Sequence, residues 1–166
     1  SHGTASAIVA GGGDSWFFLT ADYAFGHDLE AQASAVVKQK GGKVAGSVRV
    51  PLNTSDFSSF LMQAQASKSK VIGLANAGGD TINSIKQAAE FGVVQRGQKL
   101  AGLLVSITDV NSLGLQTAQG LMYTDAFYWD RTEESRAFGQ RYFDKLGRKQ
   151  YPGMNHAGNY SGMLHY

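Results

Sequence analysis

Ser15-Trp16-Phe17-Phe18-Leu19-Thr20, closed by Ala21-Asp22, is an unbroken apolar run of strand length. A strand with one wet face alternates apolar and polar residues, whereas a strand covered on both faces reads as a continuous apolar run. This stretch is therefore read as the first strand of a sheet with helices on both sides. Similar short runs recur at 44–50, 70–75, 99–105 and 121–127. Between most of them lie apolar residues at helical spacing: Leu29, Ala33 and Val37; Phe57, Phe60, Leu61 and Ala64; Ile82, Ile85 and Ala89. Strands alternating with helices are the signature of a parallel sheet, because a parallel crossover needs a connection as long as a helix. The expected fold is α/β, a three-layer sandwich around a five-stranded, mainly parallel sheet of Rossmann-like type.

Local chemistry agrees with this pattern. Gly41-Gly42 and Gly92 stand where helices should stop, and Asp56 and Asp80 stand where N-caps belong. After the fifth strand, 132–146 reads as an amphipathic helix with Phe138, Tyr142 and Leu146 on one face and Gly147 as its stop. Tyr151-Pro152-Gly153 then breaks the chain before a last helical pattern, which runs to Met163-Leu164-His165-Tyr166 without a stop signal. The chain is thus read as a fragment of a longer protein.

Hydrophobic residues make up 43% and charged residues 17% of the 166, enough apolar content to bury a core. The 15 Lys/Arg and 13 Asp/Glu leave a net charge of +2, and the basic residues are scattered along the chain, so nucleic acid is not expected as a partner. Without cysteine there are neither disulfides nor thiolate metal sites. No apolar run reaches the roughly 20 residues that span a bilayer, and no signal peptide opens the chain.

In an open parallel sheet, ligands gather beyond the carboxyl ends of the strands, so the loops leading into helices carry the search for a site. They hold Tyr23 and Phe25, Asn76-Ala77-Gly78-Gly79-Asp80, Ile107-Thr108-Asp109, and Tyr128-Trp129-Asp130. Aromatics, amides and hydroxyls dominate, and Lys and Arg are scarce. Such a set suits a small organic ligand held by stacking and a few hydrogen bonds better than a nucleotide phosphate. The stretch 76–80 is neither a dinucleotide fingerprint nor a phosphate-binding loop. His27 beside Asp28 and Glu30 lacks metal-ligand spacing, and His2, His156 and His165 are dispersed. Ser161 lies in a helical pattern, outside any nucleophile elbow. No pair of carboxylates suggests acid–base work, and no catalytic residue, metal or cofactor is expected.

Three stretches together resemble a known family: Trp16-Phe17-Phe18-Leu19-Thr20-Ala21-Asp22-Tyr23-Ala24-Phe25-Gly26, Val71-Ile72-Gly73-Leu74-Ala75-Asn76-Ala77-Gly78-Gly79-Asp80, and Gly120-Leu121-Met122-Tyr123-Thr124-Asp125-Ala126-Phe127-Tyr128-Trp129. In this order they are similar to the second lobe of type I periplasmic solute-binding proteins, the branched-chain amino acid or extracellular ligand-binding receptor group. The resemblance implies a non-enzymatic receptor that closes two lobes over a small molecule and serves the membrane permease of an ABC importer, with any export signal removed and a periplasmic location. It implies that 1–150 form the second lobe and that 151–166 cross the hinge into the missing first lobe.

By the same resemblance, Tyr23 and the loop Asn76, Ala77 and Gly78 face ligand; Phe25 and Trp129 join them as ligand candidates from their loop positions. Again by resemblance, Ile107 and Thr108 fall where amino-acid binders place a carboxylate for the ligand ammonium. Neither can supply that charge. An aromatic or hydrophobic carboxylate is favoured over an amino acid. Two other readings share the architecture: a ligand-sensing lobe of a receptor or regulator, and a flavodoxin-like or Rossmann-like cofactor domain.

Overall fold

The computed structural model describes residues 1–147 and 150–165. The run that decides the fold is β1 (Ser15–Ala21), buried throughout except at the half-buried Phe17. It lies between β2 (Lys43–Val50) and β3 (Val71–Ala75), and β4 (Lys99–Gly102) and β5 (Leu121–Met122) complete the order β2-β1-β3-β4-β5. Every pairing is parallel, with Leu19 beside Val48 and Leu74. The expected five-stranded α/β sheet is present.

Side chains of a strand alternate between the two faces. Trp16 and Phe18 point to one face, where they share a buried cluster with Ala5 and Ile8 of α1 (His2–Ala10) and Leu29, Ala33 and Val37 of α2 (Ala24–Gln39). Leu19, Ile72 and Leu74 are buried on the opposite face, which takes α3 (Ser58–Ala66) and α4 (Gly78–Glu90) through Leu61 and Ile85. The two rings of the first cluster stack at 5.7 Å, and the Trp16 indole N–H donates to the Gly13 carbonyl at 2.8 Å. Room for them comes from Gly73 in β3, where a Cβ would stand 2.5 Å from the Phe18 ring. A glycine that ordinarily weakens a strand is here the condition for packing two aromatics beside it.

Several details depart from expectation. The fourth strand ends at Gly102, where the chain turns back so that Val105 packs over the bare glycine. The fifth strand is then only Leu121–Met122, because its ladder ends with Met122 opposite Ala101. Helix α1 escaped the sequence pattern because its buried face, Thr4, Ala5 and Ile8, is mostly small or polar. In α4 the buried face is Thr81, Ser84, Ile85 and Ala88, so Ile82 and Ala89 are only half-buried. Asp80 is not an N-cap: Ala77 holds that position, and Asp80 sits in the first turn, where its Oδ2 accepts the Asn53 N–H at 3.2 Å. Asp56 is not the N-cap either: Phe57 holds that position, and Asp56, one residue before it, accepts the Ser58 N–H at 2.9 Å.

The chain folds into two compact units. The first, Ser1–Val105 with Leu113–Thr124, holds the whole sheet. The second comprises Ser106–Ser112, which is most of α5 (Ile107–Leu113), and the chain from Asp125 onward with α6 (Glu133–Leu146) and α7 (Met154–Leu164). This second unit is built on rings: Phe127 meets Phe138 edge-on at 5.7 Å, and Tyr151 stacks between Trp129 at 3.8 Å and Phe143 at 5.2 Å. The boundary expected at 150/151 lies inside it.

Candidate functional site

β1 and β3 are neighbours in the sheet, yet the helices that follow them cover opposite faces. Where that happens, the two connecting loops diverge and leave a crevice beyond the carboxyl ends of the strands. Within the first unit the β1–α2 loop brings Tyr23 and Phe25 to this crevice, and the β3–α4 loop brings Asn76, Ala77 and Gly78. Thr20 and Ala75, directly paired and fully buried, lie beneath these loops near the ends of the two strands.

The N-cap of α2 is Tyr23 and that of α4 is Ala77, both extended and neither with a side-chain cap. The first turn of a helix leaves N–H groups without intrahelical acceptors, and together with the helix dipole these favour an anion. At α4 the opening is enlarged because Gly78 and Gly79 are exposed and a Cβ on either would meet nothing within 4 Å. Gly78 has φ of 58°, a conformation that glycine alone adopts freely. At α2 the helix start is drawn tightly onto the strand end, since a Cβ on Gly26 would collide with the Ala21 carbonyl.

Aromatic surface lines the same mouth. Tyr23 is half-buried, Phe25 is exposed, and their rings meet at 5.8 Å with a tilt of 32°. Behind them the buried Thr20 hydroxyl donates to Glu30 Oε2 at 2.6 Å, and Arg49 donates to the same oxygen at 2.7 Å. This contact ties α2 to β1 and β2 and fixes the loop that carries Tyr23. Glu30 was noticed in the sequence only as a neighbour of His27; nothing in its spacing marks it as a clamp across two strands.

Asn76 plays a different part from its neighbours. Its side chain is buried, with Oδ1 accepting from the Thr81 hydroxyl at 2.8 Å and Nδ2 donating to Ser84 Oγ at 3.3 Å. It anchors the loop to α4, and the surface of the loop at the crevice is left to Ala77 and Gly78. The acids at this end each have a partner. Asp22 lies 2.9 Å from His27 Nε2, Asp56 is held by Ser58, and Asp80 by Asn53. Two hydrogen bonds from Ser58 keep the Asp56 carboxyl below its ordinary pKa. Among the described residues, no three His, Asp or Glu side chains gather as a metal site would require.

The other candidates belong to the second unit. The Thr108 hydroxyl lies 2.6 Å from Ser106 Oγ, and the Ile107 N–H donates to Asp125 at 3.2 Å. Asp109 accepts both the N–H and the hydroxyl of Ser106, at 2.8 and 3.0 Å, so its carboxylate closes the start of α5. One face of the Trp129 ring is taken by Tyr151, at an interplanar angle of 9°.

Comparison with known proteins places this geometry among related folds. The family described as periplasmic binding protein matches residues 1–166. A periplasmic binding protein from Burkholderia mallei is 59% identical, with a TM-score of 0.83 over 91% of this chain and 40% of its own. A branched-chain amino acid ABC transporter periplasmic ligand-binding protein from Burkholderia xenovorans is 39% identical, with a TM-score of 0.89 over 99% of this chain and 44% of its own. A solute-binding protein of an ABC transporter from Rhodopseudomonas palustris, solved with 3,4-dihydroxybenzoic acid, is 26% identical, with a TM-score of 0.81 over 98% of this chain and 45% of its own. The chain thus spans less than half the length of these relatives.

Proposed function

The chain belongs to the periplasmic binding protein family, and from that premise we propose that it forms the second lobe of a receptor that captures a small organic acid for an ABC importer. The observation that carries this reading is the pair of uncapped helix starts, α2 and α4, meeting beside Tyr23 and Phe25 at the β1/β3 crevice. A carboxylate would be held by the free N–H groups and an apolar or aromatic body by the rings. A first lobe elsewhere in the full-length protein would supply the facing half of the cleft, and a membrane permease in contact with the periplasm would receive the ligand.

Aromatic acids are the preferred class. The relative solved with 3,4-dihydroxybenzoic acid supports this, as does the lack of a carboxylate at Ile107 and Thr108, where resemblance places the ammonium partner of amino-acid binders. Asp109 does not substitute for it, because Ser106 occupies its Oδ2. A second reading, a branched-chain amino acid, is favoured by the Burkholderia xenovorans relative. A ligand-sensing role would use the same site without the permease.

The test is a thermal-shift series on the full-length protein, because a ligand that binds only the folded state raises its midpoint in proportion to concentration over Kd. Hydroxybenzoates should raise it more than leucine, isoleucine or valine. Stabilisation by the amino acids alone would select the second reading, and stabilisation by nucleotides alone would remove both.

A further inference from the structure

The basic residues that lie dispersed in the sequence are gathered by the fold at one end of the first unit. Helices in this architecture end where strands begin, so the amino end of the sheet collects Lys38 and Lys40 from the end of α2, Lys68 after α3, and Arg96 after α4. Lys43 and Lys99 open β2 and β4, and Lys70 directly precedes β3. Only Asp14 and Glu90 stand against them at this end. The carboxyl end of the same sheet has the reverse balance, with Asp22, Asp28, Glu30, Asp56 and Asp80 against Arg49.

Local structure uses some of these cations. Lys70 pairs with Asp14 at 3.0 Å, and Lys70 and Lys99 each donate to a carbonyl at the end of α1, Gly12 and Gly11, at 3.3 Å. A cation at a helix C-terminus is favourable in itself. Lys38, Lys40, Lys68 and Arg96, however, are exposed and make no ion pair among the described residues. Lys68, Lys70 and Arg96 share an open hollow of about 380 Å³ with Gln98. Lys68 stands there with φ of 53°, a left-handed conformation that a residue with a side chain seldom adopts. A lone dipole contact at the end of α3 does not account for three cations meeting around one hollow.

We infer that this basic end is a docking surface for a membrane rich in anionic phospholipid, with the Lys68, Lys70 and Arg96 hollow seating a headgroup phosphate. The charges are spread over several elements instead of converging on one point, which matches a surface of many phosphates better than a single small anion. The surface lies at the opposite end of the sheet from the β1/β3 crevice, so docking leaves the crevice free. The inference rests on charge placement and does not depend on the transport reading.

The test is co-sedimentation of the full-length protein with vesicles of phosphatidylcholine alone and of an equal mixture with phosphatidylglycerol, at low and high salt. Binding is expected to the mixed vesicles only, to weaken with salt, and to fall about tenfold or more in Lys68→Glu/Arg96→Glu. Lys38→Glu/Lys40→Glu, on the exposed end of α2, should also weaken it, and this pair decides the matter if the first variant fails to fold. Lys86→Glu, in the middle of α4, should bind like the parent. Equal sedimentation with both vesicle types, no sedimentation with either, or full binding by both double variants would overturn the proposal. So would an equal loss in Lys86→Glu, since that would reduce the effect to net charge.

Discussion

Helix α6 starts under a side-chain cap, whereas α2 and α4 start bare. At α6 Thr132 accepts the Ser135 N–H at 3.2 Å while Ser135 Oγ accepts the Thr132 N–H at 2.9 Å. At α2 and α4 the capping positions are Tyr23 and Ala77, and no side chain closes either end. A cap ordinarily stabilises a protein by about 1 kcal/mol, so leaving these two ends open forgoes stability, as at α1, α3 and α7, which also start without a side-chain cap. What sets the starts of α2 and α4 apart is that they lie beyond the carboxyl ends of β1 and β3, where the sheet topology would put a ligand. The contrast with α6 teaches that these two ends have N–H groups available, and the proposed function assigns them an acceptor from outside the chain.

The largest way to break this contrast is Gly26→Ala. Its Cβ would collide with the Ala21 carbonyl and force the bare end of α2 off the strand, so chemical denaturation should show a loss of about 3 kcal/mol, and ligand affinity should fall with it. Next is Tyr23→Ala, which should leave the denaturation curve near that of the parent and weaken binding of a hydroxybenzoate by about 2 kcal/mol in calorimetry. Unchanged affinity would remove Tyr23 from the site.

Exchanging the two kinds of helix start sharpens the comparison. Ala77→Asp adds the missing cap to α4, so the unliganded protein should gain about 1 kcal/mol while carboxylate binding declines, because the new side chain competes for the same N–H groups. Thr132→Ala should cost about 1 kcal/mol of stability and leave binding untouched. If both substitutions affected binding alike, the distinction between open and capped ends would carry no functional meaning.

The smallest effect is on pH. Hydrogen bonds from Ser58 hold the Asp56 carboxyl below its ordinary value, and Lys70 does the same for Asp14. A carboxyl whose folded pKa is depressed contributes stability that is fully present above its unfolded value and is lost as pH falls through the folded one. Acid titration of the parent against Asp56→Asn should therefore show curves that converge in acid and separate slightly at neutral pH.

The sheet was legible because both-face burial leaves a continuous apolar run, and Trp16 to Thr20 carry that signal undiluted. The ends of the last two strands were not, since they depend on where Val105 folds over Gly102 and where the β4 ladder stops. α1 was hidden by a small-residue face, and the true inner face of α4 by Thr81 and Ser84, polar residues buried because Asn76 pairs with both. The positions of Tyr23, Phe25, Ala77 and Gly78 just beyond β1 and β3 could be read from the sequence alone. The anchoring role of Asn76, the clamp of Glu30 on Thr20 and Arg49, and the stacking of Trp129 on Tyr151 are long-range contacts with no local trace in sequence.

The central claim is that a ligand carboxylate rests on the open starts of α2 and α4, and backbone amide resonances test it most directly. Titrating 4-hydroxybenzoate into the full-length protein should shift and protect from exchange the amides of Phe25, Gly78 and Gly79 while leaving those of Ser58 and Ser135 unmoved. Binding that leaves Phe25, Gly78 and Gly79 unchanged would contradict the account.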